Sequence, residues 1–333
     1  MSNVIEQQAS KPPLVSIGMP VFNGGEHVAQ ALDGILAQEF QDFELIISDN
    51  ASTDDTYCVC QEYARRDTRV RLITQPENIG ASKNFQFVLG QSKGRYFTWA
   101  AHDDVFYPKH LSSLVQAHQS GDYILVASRP IHVELSSGRF FSFELMPDSC
   151  FSDGPRKAFI EFMKLHHWDY AKACLIYGLF QRELIPPEPL NSSDKKLQDV
   201  GTDLLFLYEI LGKGRVKYIE EVTWQRGERF FFTPPTRYEE LSSSQLLAKK
   251  LAYWILKNNP DMDEAGWAGV ISSYLNQVKE IYRQSFHAVD REFLRALRGN
   301  RDQLMSLFMP SINWVETVRL ALKAVPGRRK RGA

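Results

Sequence analysis

Four times between residues 14 and 104 a short apolar run gives way to a polar loop, and this rhythm restricts the fold more than any other feature. The run LVSIGM, Leu14 to Met19, is closed by Pro20 and has the continuous apolar profile of a strand buried on both faces. The turn NGGEH follows, and then Val28, Ala31, Leu32, Ile35 and Leu36 fall at the i, i+3, i+4, i+7, i+8 spacing of an amphipathic helix. A second strand, Phe43 to Ser48, stops at Asp49, and the Ser, Thr and Asp residues of NASTDDT suit the cap of a helix running through Tyr63. A third, Val70 to Thr74, precedes QPENIG and a helix with Phe85, Val88 and Leu89 on one side. The fourth, Tyr96 to Ala101, runs directly into His102, Asp103 and Asp104. Strands alternating with helices predict an α/β fold: a mostly parallel central sheet with helices on both faces.

In such sheets ligands bind in the loops beyond the carboxyl ends of the strands. Those loops carry Asn23, Asp49, Asn50, Asn78 and Asp103, so one edge of the sheet collects the polar chemistry. Beyond Ile124 the pattern changes. It predicts a hairpin near Ile131 to Glu144, a helix near Arg156 to His166, a strand around Cys174 to Phe180, a helix from Thr202 to Leu211 and a strand at Val216 to Ile219. From Glu239 onward the periodicity is helical, broken at Asn258 to Pro260, at Gly299 and at Pro310.

Composition removes several classes. With 39 Lys and Arg against 40 Asp and Glu in 333 residues, there is no basic excess of the kind that a nucleic-acid binder needs. The longest apolar run, Ala173 to Phe180, is far short of the roughly 18 residues of a membrane span, so no spanning helix is expected. The start MSNVIEQQASKPP has neither a basic region nor an apolar core, so no secretory signal is expected. Four cysteines, Cys58, Cys60, Cys150 and Cys174, lack CxxC spacing, which fits a reducing, cytoplasmic setting. PVFNGGEH does not supply the G-x-G-x-x-G turn of a dinucleotide enzyme, and no G-x-x-x-x-G-K-[ST] of a P-loop occurs. Adjacent His166 and His167 are not spaced to converge on zinc.

The adjacent carboxylates Asp103 and Asp104 repel each other, and such a pair calls for a cation; hard oxygen donors suit Mg²⁺ or Mn²⁺. The alternative is that one caps the helix beginning near Pro108 while the other is solvated. Asp49 can accept hydrogen bonds from a base N–H or a ribose hydroxyl, or form an Asx-turn within DNASTDD. Lys83 can pair with a diphosphate or belong to a solvated face. Asn78 and Gly80 can form a turn.

Taken in order, VSIGMPVFNGG, ELIISDNASTDDT, QPENIGASKN and YFTWAAHDDVFYP resemble the nucleotide-sugar-binding half of the family 2 glycosyltransferases, which have the GT-A fold. The resemblance implies an inverting transferase in surface polysaccharide or glycoconjugate synthesis, using a nucleotide-sugar donor, a divalent cation and a glycan or lipid-linked acceptor. It implies that Pro20, Val21 and Phe22 lie against the base, with Asn23 matching the family's Asn. Asp49 would read the base or ribose, Asn78, Gly80 and Lys83 would lie near base and diphosphate, Asp103 would hold the metal and Asp104 would follow it. Ala101 stands where the family's D-x-D-D stretch has its first Asp. That departure keeps open a non-catalytic GT-A protein that binds nucleotide sugar or a protein partner, and His102 is a candidate second ligand or a charge partner.

QDVGTDLLFLYEILGKGRVKYIEEVTWQRG resembles the acceptor side of the same family. Inversion requires a base for the acceptor hydroxyl. Asp203 is the candidate and Asp199 its rival; Asp203 can equally stabilise the start of the helix that follows. Tyr177 and Arg182, in IYGLFQREL, which resembles the strand and loop flooring the acceptor pocket, are candidate acceptor contacts or equally a core and a surface residue, and Arg226 is a candidate clamp on the diphosphate or a plain surface arginine. The implied organisation is a leader at 1–13, a nucleotide-sugar half at 14–125, an acceptor half at 126–238 and a helical region with a basic tail at 239–333.

The even charge balance conceals a division. Residues 241–333 hold 15 Lys and Arg against 8 Asp and Glu, whereas residues 1–240 hold 24 against 32. Ile312, Val315, Val318, Leu322 and Val325 form an apolar stripe ahead of Arg328, Arg329, Lys330 and Arg331, a pattern for a helix resting on an anionic membrane at its inner face, or for a helix packed on the rest of the chain with a solvated tail.

Overall fold

The computed structural model describes residues 11–134, 139–142, 174–186, 202–211 and 213–226, all belonging to one compact unit. The expectations for residues 1–10, for the helix near Arg156, for Asp199 and for the helical region with its basic tail lie outside the described residues.

The amino-terminal pattern folds as its periodicity requires. Strands β1 (Val15–Val21), β2 (Phe43–Asp49), β3 (Val70–Thr74) and β4 (Tyr96–Trp99) alternate with helices α1 (Val28–Leu36), α2 (Thr56–Arg66) and α3 (Ala81–Gly90). They pair in parallel in the order β3-β2-β1-β4, with Val15 opposite both Phe43 and Tyr96, and Leu45 opposite Val70. All seven residues of β1 are buried, as a central strand covered on both faces demands. Helix α1 buries Val28, Ala31, Leu32 and Ile35, the stripe read from its spacing.

Strand β1 does not end at Pro20. Gly18 accepts from Ala100 N–H on the β4 side, whereas Val21 accepts from Asn50 N–H on the β2 side. Residues alternate between the two neighbours, so Pro20 faces the β4 side. There the β1–β4 register has already ended, at Gly18 opposite Trp99, and a missing N–H removes no ladder bond.

The remainder of the sheet is mixed. A two-residue strand β5 (Val105–Phe106) and helix α4 (His110–Gln119) lead to β6 (Leu125–Glu134), which pairs antiparallel with β7 (Arg139–Ser142) as the expected hairpin. The segment expected as a strand from Cys174 is instead a 3₁₀ turn, Leu175–Tyr177, followed by the short β8 (Leu179–Gln181) antiparallel to β4 and β6. Helix α5 (Thr202–Leu211) matches its pattern, and β9 (Val216–Arg226) runs well beyond the expected Ile219, pairing with β6 and β5. Trp99 is the hub of a ring cluster, with Phe97, Phe180 and Phe206 set edge to face at 4.7, 5.8 and 5.3 Å.

Among the described residues, no helix is long and apolar enough to cross a membrane.

Candidate functional site

The loops leaving β1, β2, β3 and β4 are tied to one another in sequence around one edge of the sheet. The first tie joins the β1 and β2 loops. Asn23 Oδ1 accepts from Thr53 N–H at 2.9 Å, and Asn23 N–H donates to Ser52 Oγ at 2.9 Å. Gly24 and Gly25 N–H groups donate to Thr56 Oγ1 at 2.8 Å and Asp54 Oδ2 at 3.1 Å. Burial acts to raise the Asp54 carboxyl, but hydrogen bonds from Thr56 and from Gly25 N–H prevail and hold it below the usual carboxylate range.

The second tie joins the β2 and β3 loops. Buried Asn50 donates from Nδ2 to Asn78 Oδ1 at 3.0 Å and accepts from Ile79 N–H at 2.9 Å. Asn78 Oδ1 also accepts from Gly80 N–H at 2.9 Å, and Gly80 has φ 85°, open to glycine and strained for other residues. Beneath this tie Ser48 Oγ donates to Asn84 Oδ1 at 2.6 Å and accepts from Gln75 Nε2 at 2.9 Å, which fixes the start of α3 to β2.

The third tie joins the β1 and β4 loops by contact. A Cβ on Gly24 would lie 2.4 Å from His102 Cδ2, so the imidazole packs directly on the glycine backbone. Two residues of this edge with side chains hold left-handed backbone, Asn23 at φ 51° and Ala51 at φ 58°.

The candidate donor residues lie on this ring of loops. Pro20 and Val21 are buried in β1, whereas the Phe22 ring is 41% exposed. Asp49 is 1% exposed and its Oδ1 accepts from Ser52 N–H at 3.2 Å, so the Asx-turn expected as one alternative is present. Lys83 is exposed on the first turn of α3, and Asn78 is exposed beside it. Asp103 and Asp104 occupy the turn between β4 and β5, Asp103 half-buried and Asp104 buried.

Tyr177 and Arg226 come to the same edge. Tyr177 is held where β4 ends, its carbonyl accepting from Thr98 Oγ1 at 3.2 Å and its ring edge-on to Trp224 at 5.6 Å. Burial drives its phenol above the ordinary range; Asp104 pushes the same way, Arg226 opposes and Asp103 adds to the rise. Arg226 Nη1 donates to Cys174 Sγ at 3.8 Å. Arg182 does not join them. Its Nε donates to Ser92 Oγ at 2.7 Å and its N–H to Arg95 carbonyl at 3.0 Å, both at the amino end of β4. Because β8 runs antiparallel to β4, residues 177 and 182 leave it at opposite edges of the sheet. Asp203 lies in the first turn of α5 and is half-buried.

Asn50, expected only as one of the polar residues at this edge, and Ser52, Thr53, Asp54 and Cys174 are additional to the candidate site residues. The run NASTDDT signals the first four, since each short polar side chain there can bond a neighbouring backbone; Cys174 has no local signal. Among the described residues no group of three or more His, Cys, Asp and Glu gathers. The hard oxygens of the Asp103–Asp104 turn fit a divalent cation that takes most of its six or more ligands from a bound diphosphate and water.

Residues 16–178 match the model of Glycosyl transferase family 2. The chain is similar to the glycosyltransferase GlyG of Streptococcus pneumoniae, 27% identical over 195 residues, which are 57% of this chain and 63% of that one. It is also similar to the putative teichuronic acid biosynthesis glycosyltransferase TuaG of Bacillus subtilis, 33% identical over 92 residues, 28% of this chain and 36% of that one. In both cases the chain spans less than two thirds of the relative's length. Among solved structures, S. aureus TarS 1-349 in complex with UDP-GlcNAc superposes with a TM-score of 0.58 at 17% identity, over 94% of this chain and 81% of that one; the likeness is one of fold.

Proposed function

Because residues 16–178 belong to glycosyl transferase family 2 and the fold is of the GT-A type, we propose that the chain transfers a sugar from a nucleotide-sugar donor to an acceptor hydroxyl, with inversion, in the synthesis of a surface polysaccharide or glycoconjugate. The observation that carries this reading is the ring of tied loops, which collects Phe22, Asp49, Lys83 and Asp103 at the carboxyl ends of four parallel strands. UDP-GlcNAc bound to TarS and the teichuronic acid role named for TuaG support the substrate class.

In this reading residues 14–125 hold the donor and residues 126–238 the acceptor, with a helical region at 239–333. Pro20, Val21 and Phe22 lie against the base. Asp49 accepts from the base or ribose, and Asn23, Asn78 and Gly80 shape the loops around it. Lys83 and Arg226 attract the diphosphate as positive charges. Asp103 would hold a divalent cation, Mn²⁺ or Mg²⁺, which would neutralise charge on the leaving diphosphate. Asp203 takes the proton of the acceptor hydroxyl as its oxygen bonds the anomeric carbon and the bond from that carbon to the diphosphate oxygen breaks. Tyr177 borders the acceptor, a glycan or a lipid-linked sugar. The basic tail after Val325 brings the chain to an anionic membrane at its cytoplasmic face, where a lipid-linked acceptor is found.

The test is a panel of nucleotide sugars in a thermal-shift screen with Mn²⁺, followed by mass analysis of products formed on glycan and lipid-linked acceptors. Stabilisation by one donor and a product heavier by one sugar support transfer. Ala101 in place of a carboxylate favours a second reading, a binder without activity, and stabilisation by a donor with no product on any acceptor would select it.

A further inference from the structure

Arg226 ends β9, and the β5–β9 register sets Val105 opposite Gln225 and Phe106 opposite Trp224. One step further along the same register, Arg226 stands opposite Asp104. Residues directly opposed on antiparallel strands share a face, with Cβ atoms about 4.5–5.5 Å apart. Alternation puts that pair on the face of Phe106 and Trp224, which are buried and stack at 6.5 Å with an interplanar angle of 15°. Asp104 is 3% exposed on that face, and a carboxylate so placed persists only with a compensating charge. The guanidinium is steadied from a third segment by Cys174.

We propose that Arg226 is a positioning residue whose guanidinium is the standing counter-ion of Asp104, and that this pairing divides the labour of two adjacent carboxylates. Asp104 is committed to the β5–β9 strand pair, and Asp103 alone would be left to hold a divalent cation at the diphosphate end of the site. The division rests on the reading of this turn as the diphosphate end of the site. It also explains how two like charges sit side by side: one of them already has its partner.

Two measurements on the full chain test it. In urea unfolding, Asp104→Asn and Arg226→Met each lower the midpoint, and the double variant loses clearly less than the sum of the two; strictly additive losses would overturn the pairing. In a titration with Mn²⁺ alone, followed by electron paramagnetic resonance, Arg226→Met binds about tenfold more tightly than the parent, because the released Asp104 joins Asp103, while Arg226→Lys stays near the parent. A folded Arg226→Met with unchanged or weaker Mn²⁺ binding would overturn the division of labour, and a purely structural arginine would not raise metal affinity. Where Arg226→Met does not fold, Arg226→Gln removes the charge at similar length and takes its place in both measurements. If Mn²⁺ binds none of these proteins, the cation in the functional reading falls, whereas the unfolding cycle still decides the Arg226–Asp104 pair.

Discussion

The loops that leave β1 to β4 and the region built from β5, β8, β9, α4 and α5 hold themselves together by different physics. In the first, short polar side chains bond neighbouring backbones: Asn23 to Thr53, Asn50 to Ile79, Asp54 to Gly25. In the second, rings pack around Trp99 and Trp224, and the polar groups that remain are buried and bonded across long sequence separations, such as His110 to Thr223 at 2.8 Å. The difference teaches where substitutions act. A change among the loops alters a local shape that a ligand reads, while a change in the ring-packed region alters the stability of the whole unit.

Asp203 stands on the ring-packed side but is assigned chemistry in the proposed transfer. Helix α5 buries Phe206, Leu207, Ile210 and Leu211 and leaves Asp203 half-buried in its first turn. As a general base, Asp203→Asn lowers turnover by about 10³-fold with donor affinity and melting temperature nearly unchanged. If Asp203 only stabilises the helix start, the same variant loses about 0.5–1 kcal/mol of stability and keeps its turnover. Steady-state kinetics beside a melting curve separate the two.

Acid should loosen the two regions at different pH. His110 is fully buried, and that burial lowers its pKa to about 3; burial likewise lowers His118 to about 4. An unfolded histidine titrates near 6.5, so between that value and the folded pKa the unfolded chain binds the extra proton. Stability is therefore full above about pH 6.5 and falls as pH drops toward 3. His110 alone accounts for about 2 kcal/mol lost at pH 5, at about 1.4 kcal/mol per pH unit. Asp54, among the loops, has its pKa lowered, so its contribution is lost only as pH falls below the ordinary carboxylate range. Urea unfolding at pH 7.5 and pH 5 should show the larger loss in the parent and a smaller one in His110→Gln. An equal loss in both would remove His110 as the source.

The same contrast decides what could be read from residues alone. The parallel half is legible because each buried strand gives way within a few residues to a polar loop, and the loop carries the chemistry. Asp49 to Ser52 and Asn78 to Gly80 are local events. The second half rests on pairings between distant residues. Strand β5 is two residues long and shows no period, so its register with β9, and with it the placement of Arg226 opposite Asp104, could not be foreseen. Leu175 to Phe180 is apolar throughout, a pattern equally compatible with a strand and with a buried turn leading into one. The resemblance of IYGLFQREL to an acceptor-side segment groups Tyr177 with Arg182, whereas antiparallel pairing sends them to opposite edges. Pro20 does not end β1, because the side of the ladder it faces depends on where β4 stops.

Asn50 tests the loop side directly. It is buried and bonds both the Asn78 side chain and Ile79 N–H, and no ring packing depends on those two bonds. Asn50→Ala leaves both partners to find water in a loop that then shifts. Donor affinity is expected to fall about tenfold, near 1.4 kcal/mol, with a loss of global stability smaller than that. Calorimetric titration with the stabilising nucleotide sugar gives the first quantity and urea unfolding the second. A stability loss exceeding the affinity loss would place Asn50 with the scaffold and blur the division between the regions.

The smallest expected effect lies at Ala51, whose φ of 58° is in the left-handed region. A Cβ there costs about 1 kcal/mol, a strain that the bond from Ser52 N–H to Asp49 Oδ1 at 3.2 Å helps to hold in place. Glycine removes the strain but makes the unfolded chain more flexible, which takes back roughly 0.5–1 kcal/mol. Ala51→Gly should therefore raise the urea midpoint slightly, by no more than about 0.5 kcal/mol, with an unchanged slope. Its donor affinity should fall by less than about twofold, since the Asp49 and Asn50 bonds that shape the loop do not use the methyl group. A destabilisation of more than about 1 kcal/mol would mean that the methyl group packs usefully, and that even this loop depends on burial as well as on its polar ties.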